Sequence, residues 1–307
     1  MLQSSRFVTL DAGRRLRVFD AGPYHSGRSS GGSPLVVLES GLGAGGRSWA
    51  SVFHRLAPGA RVLAYDRAGY GASDPVPSSS RAATPRGLEQ LRDDLLAVIR
   101  DAVLGDDAAT GTGPIILVGH SWGGVIVRAV AAARIAAGER VDGLVLVDPS
   151  DEHAEFYFAA GARRIDLLQA RLMAPLARAG LLRPLVAGSL LRLPRKLRRE
   201  TAADSATLAA ARAISAETSA FLGDLKALRT SPLELGNVPV RIVSGIRADY
   251  GVASIRAQLR EAHRRSAAAF LDGELIDAPA SAHGVPFTDA QLVADTIMRL
   301  ARASRER

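Results

Sequence analysis

The stretch PIILVGHSWGGVIVRAV, residues 114–130, decides how the rest of the chain is read. Its first half is a short continuous run of aliphatic residues, and its second half keeps apolar residues at helical spacing. Between them stands Gly119-His120-Ser121-Trp122-Gly123-Gly124, so a strand stops, turns sharply and becomes a helix. The junction carries the pattern G-x-S-x-G in the strand–turn–helix setting that holds a serine out for nucleophilic attack. The glycines answer a packing need. A serine in a strained turn brings backbone against strand and helix, where a Cβ collides. The same turn sets Ser121 at a helix N-terminus, where the dipole and free N–H groups favour developing negative charge.

Outward from this junction, short Val/Leu/Ile runs alternate with amphipathic helices. Strands are expected at 6–10, 15–22, 34–40, 61–67, 114–119 and 143–149, with helices around 48–57, 84–104 and 123–137. The inner strands are continuous apolar runs, as expected of a mostly parallel central sheet with helices on both faces, an α/β fold. In the 84–104 helix, Thr84 reads as the N-cap with Pro85 in the first turn, and Leu88, Leu91, Leu95 and Ile99 share one face. Between 150 and 235 the strand pattern gives way to Ala, Leu and Arg at helical spacing. That segment reads as several helices inserted as a cap over the sheet. The α/β pattern returns with a strand at 238–245, a helix at 252–269, a strand at 273–279 and a helix at 288–303. The expected organisation is a core of residues 1–149 and 236–307 with a helical cap (lid) at 150–235.

Composition narrows the function classes. With 47% hydrophobic and 23% charged residues among 307, the chain reads as globular rather than disordered. No apolar run reaches the roughly 18 residues of a membrane span. The first twenty residues lack the basic segment and apolar stretch of a signal peptide. The absence of cysteine rules out disulfides and thiolate metal sites and fits a cytoplasmic protein. None of the six histidines forms an H-E-x-x-H or similar pair, so no metal and no cofactor are expected. A net charge of +8 raises the question of nucleic acid. The cations are nearly all arginine and scattered, apart from the cluster RLPRKLRRE at 192–200, and no nucleic-acid module accompanies them. They read as a solvated basic face, with attraction to anionic substrates or membrane surfaces as the second reading.

Over essentially its whole length the chain resembles the α/β-hydrolase fold family. Besides the serine turn, the resemblance rests on ESGLGAGG after the third strand, DRAGYGASD after the fourth, LVLVDP at the sixth and SAHGVPF after the last. Serine stands at 121, where some relatives carry aspartate, so the resemblance implies acyl transfer to water rather than haloalkane dehalogenase or epoxide hydrolase chemistry. A serine hydroxyl needs an adjacent base. The family position for that base, after the last strand and after the serine in chain order, falls on His283. The other histidines compete less well. His25 is in a polar loop, His54 and His263 are in helices, and His153 is where the cap begins. His120, in the turn itself, is expected to point away.

Two acids remain open. Asp148 ends the 143–149 strand, and Asp249 follows the next strand, one residue beyond the usual G-x-x-D spacing; Asp148 is favoured. Either would orient His283 and stabilise its imidazolium. The implied oxyanion hole uses the backbone N–H groups of Trp122 and Leu42, and Ser40-Gly41 replaces the His-Gly of many relatives without touching the backbone donor. DRAGYGASD reads as a structural turn. Phe156, Tyr157, Phe158, Leu167 and Leu168 are either acyl-pocket residues or ordinary packing, and Trp122 is expected to wall the pocket. The resulting expectation is a serine hydrolase acting on a small-molecule ester, lactone or thioester with an apolar acyl part. The alternatives are C–C bond hydrolysis, acyl transfer or perhydrolysis by the same residues, or a non-catalytic binding module of this fold.

Overall fold

The apolar runs become one eight-stranded sheet in the computed structural model, which describes residues 2, 5–10, 13–23, 32–77, 84–104, 113–190, 193–248 and 253–306. The strands are β1 (Ser5–Thr9), β2 (Arg15–Ala21), β3 (Leu35–Glu39), β4 (Arg61–Tyr65), β5 (Ile115–His120), β6 (Gly143–Val147), β7 (Val240–Gly245) and β8 (Gly273–Ala278). Their order is β1-β2-β4-β3-β5-β6-β7-β8. The β1–β2 and β2–β4 pairs are antiparallel and the rest are parallel.

Alternation along each strand explains why the runs are continuous. Leu35, Val37, Leu117, Leu144 and Ile242 face one side, packed with helices α2 (Leu88–Leu104) and α3 (Trp122–Ala136). Val36, Leu38, Val118, Val145 and Val243 face the other, under α1 (Ala50–Leu56) and α10 (Ala290–Ala303). Each fully buried aliphatic side chain contributes about 1.5–3 kcal/mol, so both faces must be covered. Between β6 and β7 lie α4 (Ala160–Arg178), α5 (Leu182–Ser189), α6 (Arg195–Ser205) and α7 (Leu208–Thr230). Helix α8 (Ala253–Ala269) joins β7 to β8, and the short α9 (Val285–Thr288) precedes α10.

One helix starts later than its sequence suggests. Thr84 does not cap α2, which begins at Leu88. The amide of Arg86 donates to the Ala216 carbonyl, and Leu88 N–H donates to Asp224 Oδ2 at 2.9 Å. Both partners lie on α7, so tertiary contacts hold residues 86–88 out of the helix and supply its cap. The expected apolar face is otherwise present, with Leu91, Leu95 and Ile99 buried and Asp94 among them, paired with Arg14 and Arg86.

Helix α7 is tied to the sheet by buried charge. The Arg67 guanidinium, 1% exposed, donates to Glu39 at the end of β3 and to both oxygens of Glu217 on α7, at 2.5, 3.0 and 3.1 Å. Removing one partner of such a set leaves an uncompensated buried charge. Glu217→Ala is therefore expected to lower unfolding stability by about 3–5 kcal/mol, read from the urea midpoint. A loss under about 1 kcal/mol would place the Arg67–Glu217 contact in the range of a solvated ion pair.

Candidate active site

Ser121 sits between the end of β5 and the start of α3 with φ 53° and ψ −124°, a conformation that L-residues rarely adopt. Such strain costs on the order of 1–3 kcal/mol and persists only where the surroundings over-determine it. Here the Ser121 amide donates to the Val147 carbonyl at 3.1 Å. Its own carbonyl accepts from Gly124 at 2.9 Å and from Ser150 at 3.0 Å. The glycines are obligatory for contact reasons. A Cβ on Gly119 would lie 2.2 Å from the Gly123 carbonyl oxygen, and one on Gly123 would lie 2.5 Å from that of Glu39.

The loop after β3 presses against this turn, since a Cβ on Gly41 would stand 3.0 Å from the Ser121 Cβ. Leu42, Ser121 and Trp122 accordingly line one cavity of about 250 Å³. Its aromatic wall is Trp122, Phe221, Tyr157 and Phe156, with ring centroids 4.8 Å apart for Trp122–Phe221 and 5.4 Å for Tyr157–Phe221. The polar residues lining it are Ser121, Ser150, Tyr157, Gln169 and Thr218, and no charged side chain lines it among the described residues. A larger open groove of about 680 Å³ lies around Leu88, Ala129 and Leu228. Ser121 lines the smaller cavity and not this groove, so the chemistry points to the smaller one.

Asp148 ends β6 in a second strained conformation, φ 41°, and is fully buried. Its Oδ2 meets His283 Nδ1 at 2.7 Å, while Oδ1 accepts from Gly245 N–H at 3.0 Å and from Arg256 at 2.6 Å. Burial opposes ionisation of this carboxyl. The His283 hydrogen bond and the charges of His283, His263 and Arg256 outweigh it and hold the group below the usual carboxylate range. A carboxylate only accepts, so Nδ1 of His283 donates in this hydrogen bond. Beneath it, the buried His263 donates from Nε2 to the Pro149 carbonyl, and its Nδ1 shares a hydrogen bond with the Ser244 hydroxyl. Desolvation lowers the pKa of His263.

The structure thus gathers Leu42, Ser121 and Trp122 around one cavity and pairs His283 with Asp148. Asp249 and His25 lie outside the described residues. His120 does not point away. It lies beside His283, with ring centroids 4.7 Å apart and Nε2 donating to the His283 carbonyl at 2.9 Å. Desolvation first, and then the neighbouring His283, push its pKa down to about 3, so it adds no second charge there. Of the five aromatic and leucine candidates, Phe156 and Tyr157 line the cavity. Phe158 instead stacks under Arg229 at 3.8 Å, Leu168 is exposed, and the side chain of Leu167 lies outside the described set. DRAGYGASD forms a turn whose Asp66 accepts from Gly46 N–H and Arg17, and whose Tyr70 hydroxyl accepts from Gly43 N–H. Arg256, Ser150, Gln169, Thr218 and Phe221 escaped the sequence reading. They lie on helices and loops far along the chain and carry no local motif.

Comparison with known proteins agrees with this architecture. A model of the "Alpha/beta hydrolase family" matches residues 35–296. The 2-hydroxy-6-oxononadienedioate/2-hydroxy-6-oxononatrienedioate hydrolase of Cupriavidus pinatubonensis is 27% identical over 198 residues, covering 57% of this chain and 65% of that protein. A protein of Hormonema carpetanum named "Probable transporter efuK" is 31% identical over 126 residues, 41% of this chain but 16% of its own length. The chain therefore spans less than two thirds of either curated relative. A thermophilic esterase from Thermogutta terrifontis superposes with a TM-score of 0.68 at 18% identity, covering 98% of this chain and 99% of the esterase. With the match extending over most of its length, the chain belongs to the alpha/beta hydrolase family.

Proposed function

We propose that this hydrolase is a serine enzyme that cleaves a carboxylic ester, lactone or thioester with an uncharged, apolar acyl part. The observation that carries the reading is the strained Ser121 lining a cavity just after β5, with His283 paired to Asp148 just after the neighbouring β6. In the first step Ser121 Oγ attacks the carbonyl carbon as its proton passes to His283 Nε2. The tetrahedral oxyanion is held by the amides of Leu42 and Trp122; Trp122 is the first residue of α3, so its N–H has no partner within the helix. Collapse expels the leaving group with the proton from His283. A water, deprotonated by the same ring, then attacks the acyl-enzyme and releases the acid and Ser121. Asp148 holds the ring and stabilises its cationic form throughout.

Arg67 supports the oxyanion reading. It donates to the Ser40 and Gly41 carbonyls at 2.6 and 2.8 Å. The Gly41 carbonyl and the Leu42 N–H belong to one trans peptide, so fixing the oxygen fixes the opposite direction of the N–H. The helices between β6 and β7 act as the cap in this reading, because α4 and α7 supply Gln169, Thr218 and Phe221 to the cavity. The 2-hydroxy-6-oxononadienedioate/2-hydroxy-6-oxononatrienedioate hydrolase among the relatives acts, by its name, on dicarboxylates. The uncharged lining favours neutral acyl groups here.

Intact mass after fluorophosphonate treatment should show one adduct on the wild type and none on Ser121→Ala or His283→Ala. An unlabelled wild type beside a labelled control hydrolase would remove the serine-nucleophile reading. On a panel of neutral and carboxylate-bearing acyl esters, Asp148→Asn should lower kcat by about 10⁴-fold on the neutral ones while Asp249→Asn stays within about twofold. The reverse pattern would transfer the acid to Asp249. Arg67→Lys keeps the charge but not the fork that grips both carbonyls; it should lower kcat by up to about 10²-fold with KM little changed. A pure KM effect would assign Arg67 to substrate binding.

Stability should also follow Asp148. The unfolded carboxyl titrates near 3.9 and the folded one lower, so its contribution is complete above the unfolded value. That contribution is lost as pH falls through the folded value. Wild-type urea midpoints should therefore fall more steeply below about pH 4 than those of Asp148→Asn. Parallel slopes would show that His283 and Arg256 do not stabilise the carboxylate.

A further inference from the structure

The basic charge is not scattered once it is counted by segment. Residues 160–199 hold nine arginines and Lys196 against the single acid Asp166, a net +9 in a chain of net +8. The other 267 residues carry 29 cations against 30 anions and are nearly neutral. This segment is α4, α5 and the start of α6.

The three-dimensional arrangement sharpens the asymmetry. Elsewhere, arginines such as Arg17, Arg67, Arg128 and Arg256 are bound to buried carboxylates. By contrast Arg164, Arg171, Arg178, Arg183, Arg195 and Lys196 are exposed. None of these six is in an ion pair among the described residues. Interleaved with them, Leu168, Leu172, Leu181 and Leu185 are 59, 45, 57 and 59% exposed. These leucines are not the spare edge of a core. The inward faces of the same helices pack separately, through Met173 and Leu182, onto Ala211 and Ile214 of α7. Two neighbouring helices therefore present apolar side chains set among unpaired cations. Such a face matches an anionic bilayer, which takes the leucines into the acyl boundary and the guanidinium groups at the headgroups. Nucleic acid would satisfy the cations but not the leucines.

We propose that the outer face of α4 and α5, extended by the cations at the start of α6, docks this protein peripherally on an anionic phospholipid surface. No helix of the described residues is long and apolar enough to cross a membrane, so the contact is a surface one. Helix α4 also walls the active-site cavity through Gln169 and Ala170, which puts the docked element next to the candidate site.

Vesicle co-sedimentation tests the proposal. The full chain is compared on phosphatidylcholine alone and on phosphatidylcholine mixed with phosphatidylglycerol, at low salt and at about 0.5 M salt. The wild type should bind the anionic vesicles at least about tenfold better, and salt should weaken the binding. Arg171→Gln/Arg178→Gln/Arg195→Gln/Lys196→Gln should lose roughly fivefold per cation removed. Leu168→Ser/Leu172→Ser/Leu185→Ser should also lose binding, at unchanged net charge. Unaltered fluorophosphonate labelling and thermal melting show that the variants remain folded. No preference for anionic vesicles would overturn the proposal. So would equal binding to a double-stranded oligonucleotide that the leucine substitutions leave intact.

Discussion

Two strained residues just beyond the ends of neighbouring strands, Ser121 after β5 and Asp148 after β6, hold each other in place. The Ser121 amide donates to Val147, just before Asp148, and the Ser121 carbonyl accepts from Ser150, just after it. Asp148 N–H in turn donates to Val243 on β7. Neither positive φ is favourable alone, but each is enforced by hydrogen bonds that the other strand end supplies. Three adjacent parallel strands thereby convert the regular spacing of a sheet into a fixed separation between a serine and a carboxylate. The buried core on both faces stabilises that edge against the strain.

A second constraint runs perpendicular to the sheet. Arg67 binds the end of β3 through Glu39, the following loop through two carbonyls, and α7 through Glu217. One guanidinium thus positions a backbone amide near Ser121 and anchors a helix that supplies cavity residues. Burying three charges costs more than packing apolar side chains of equal volume, and the geometry gained is the compensating feature. Below Asp148, Arg256 and the buried His263 form a comparable polar floor from α8. The candidate site therefore rests on buried polar groups from elements on both sides of the sheet edge.

The inserted helices divide their two faces between different solvents. Inward, α4 and α7 offer aromatic, amide and hydroxyl groups to a small uncharged cavity. Outward, α4, α5 and the start of α6 carry exposed cations that form no ion pair among the described residues, with exposed leucines between them, and residues 160–199 hold a net +9 against the chain's +8. Under the proposed function and the proposed docking, the neutral cavity and the cationic outer face separate what the protein binds from where it docks.

Local sequence was enough for the serine turn, because glycine contacts and the switch from strand to helix are set within ten residues. The buried strands were equally readable, since helices on both faces leave no polar positions in them. Chain order after the last strand pointed to His283 as the candidate base. Its partner stayed open between two aspartates that follow successive strands, with Asp148 favoured, and the structure shows His283 2.7 Å from Asp148. The late start of α2 and the cap supplied by Asp224 were hidden for the same reason: the partners lie on α7, more than a hundred residues away. The position of His120 depended on the carbonyl of His283, a backbone atom with no sequence signature. Covalent neighbours and periodicity determine elements and turns. Which buried charges meet, and which helix faces remain unpartnered, is decided only when distant segments pack.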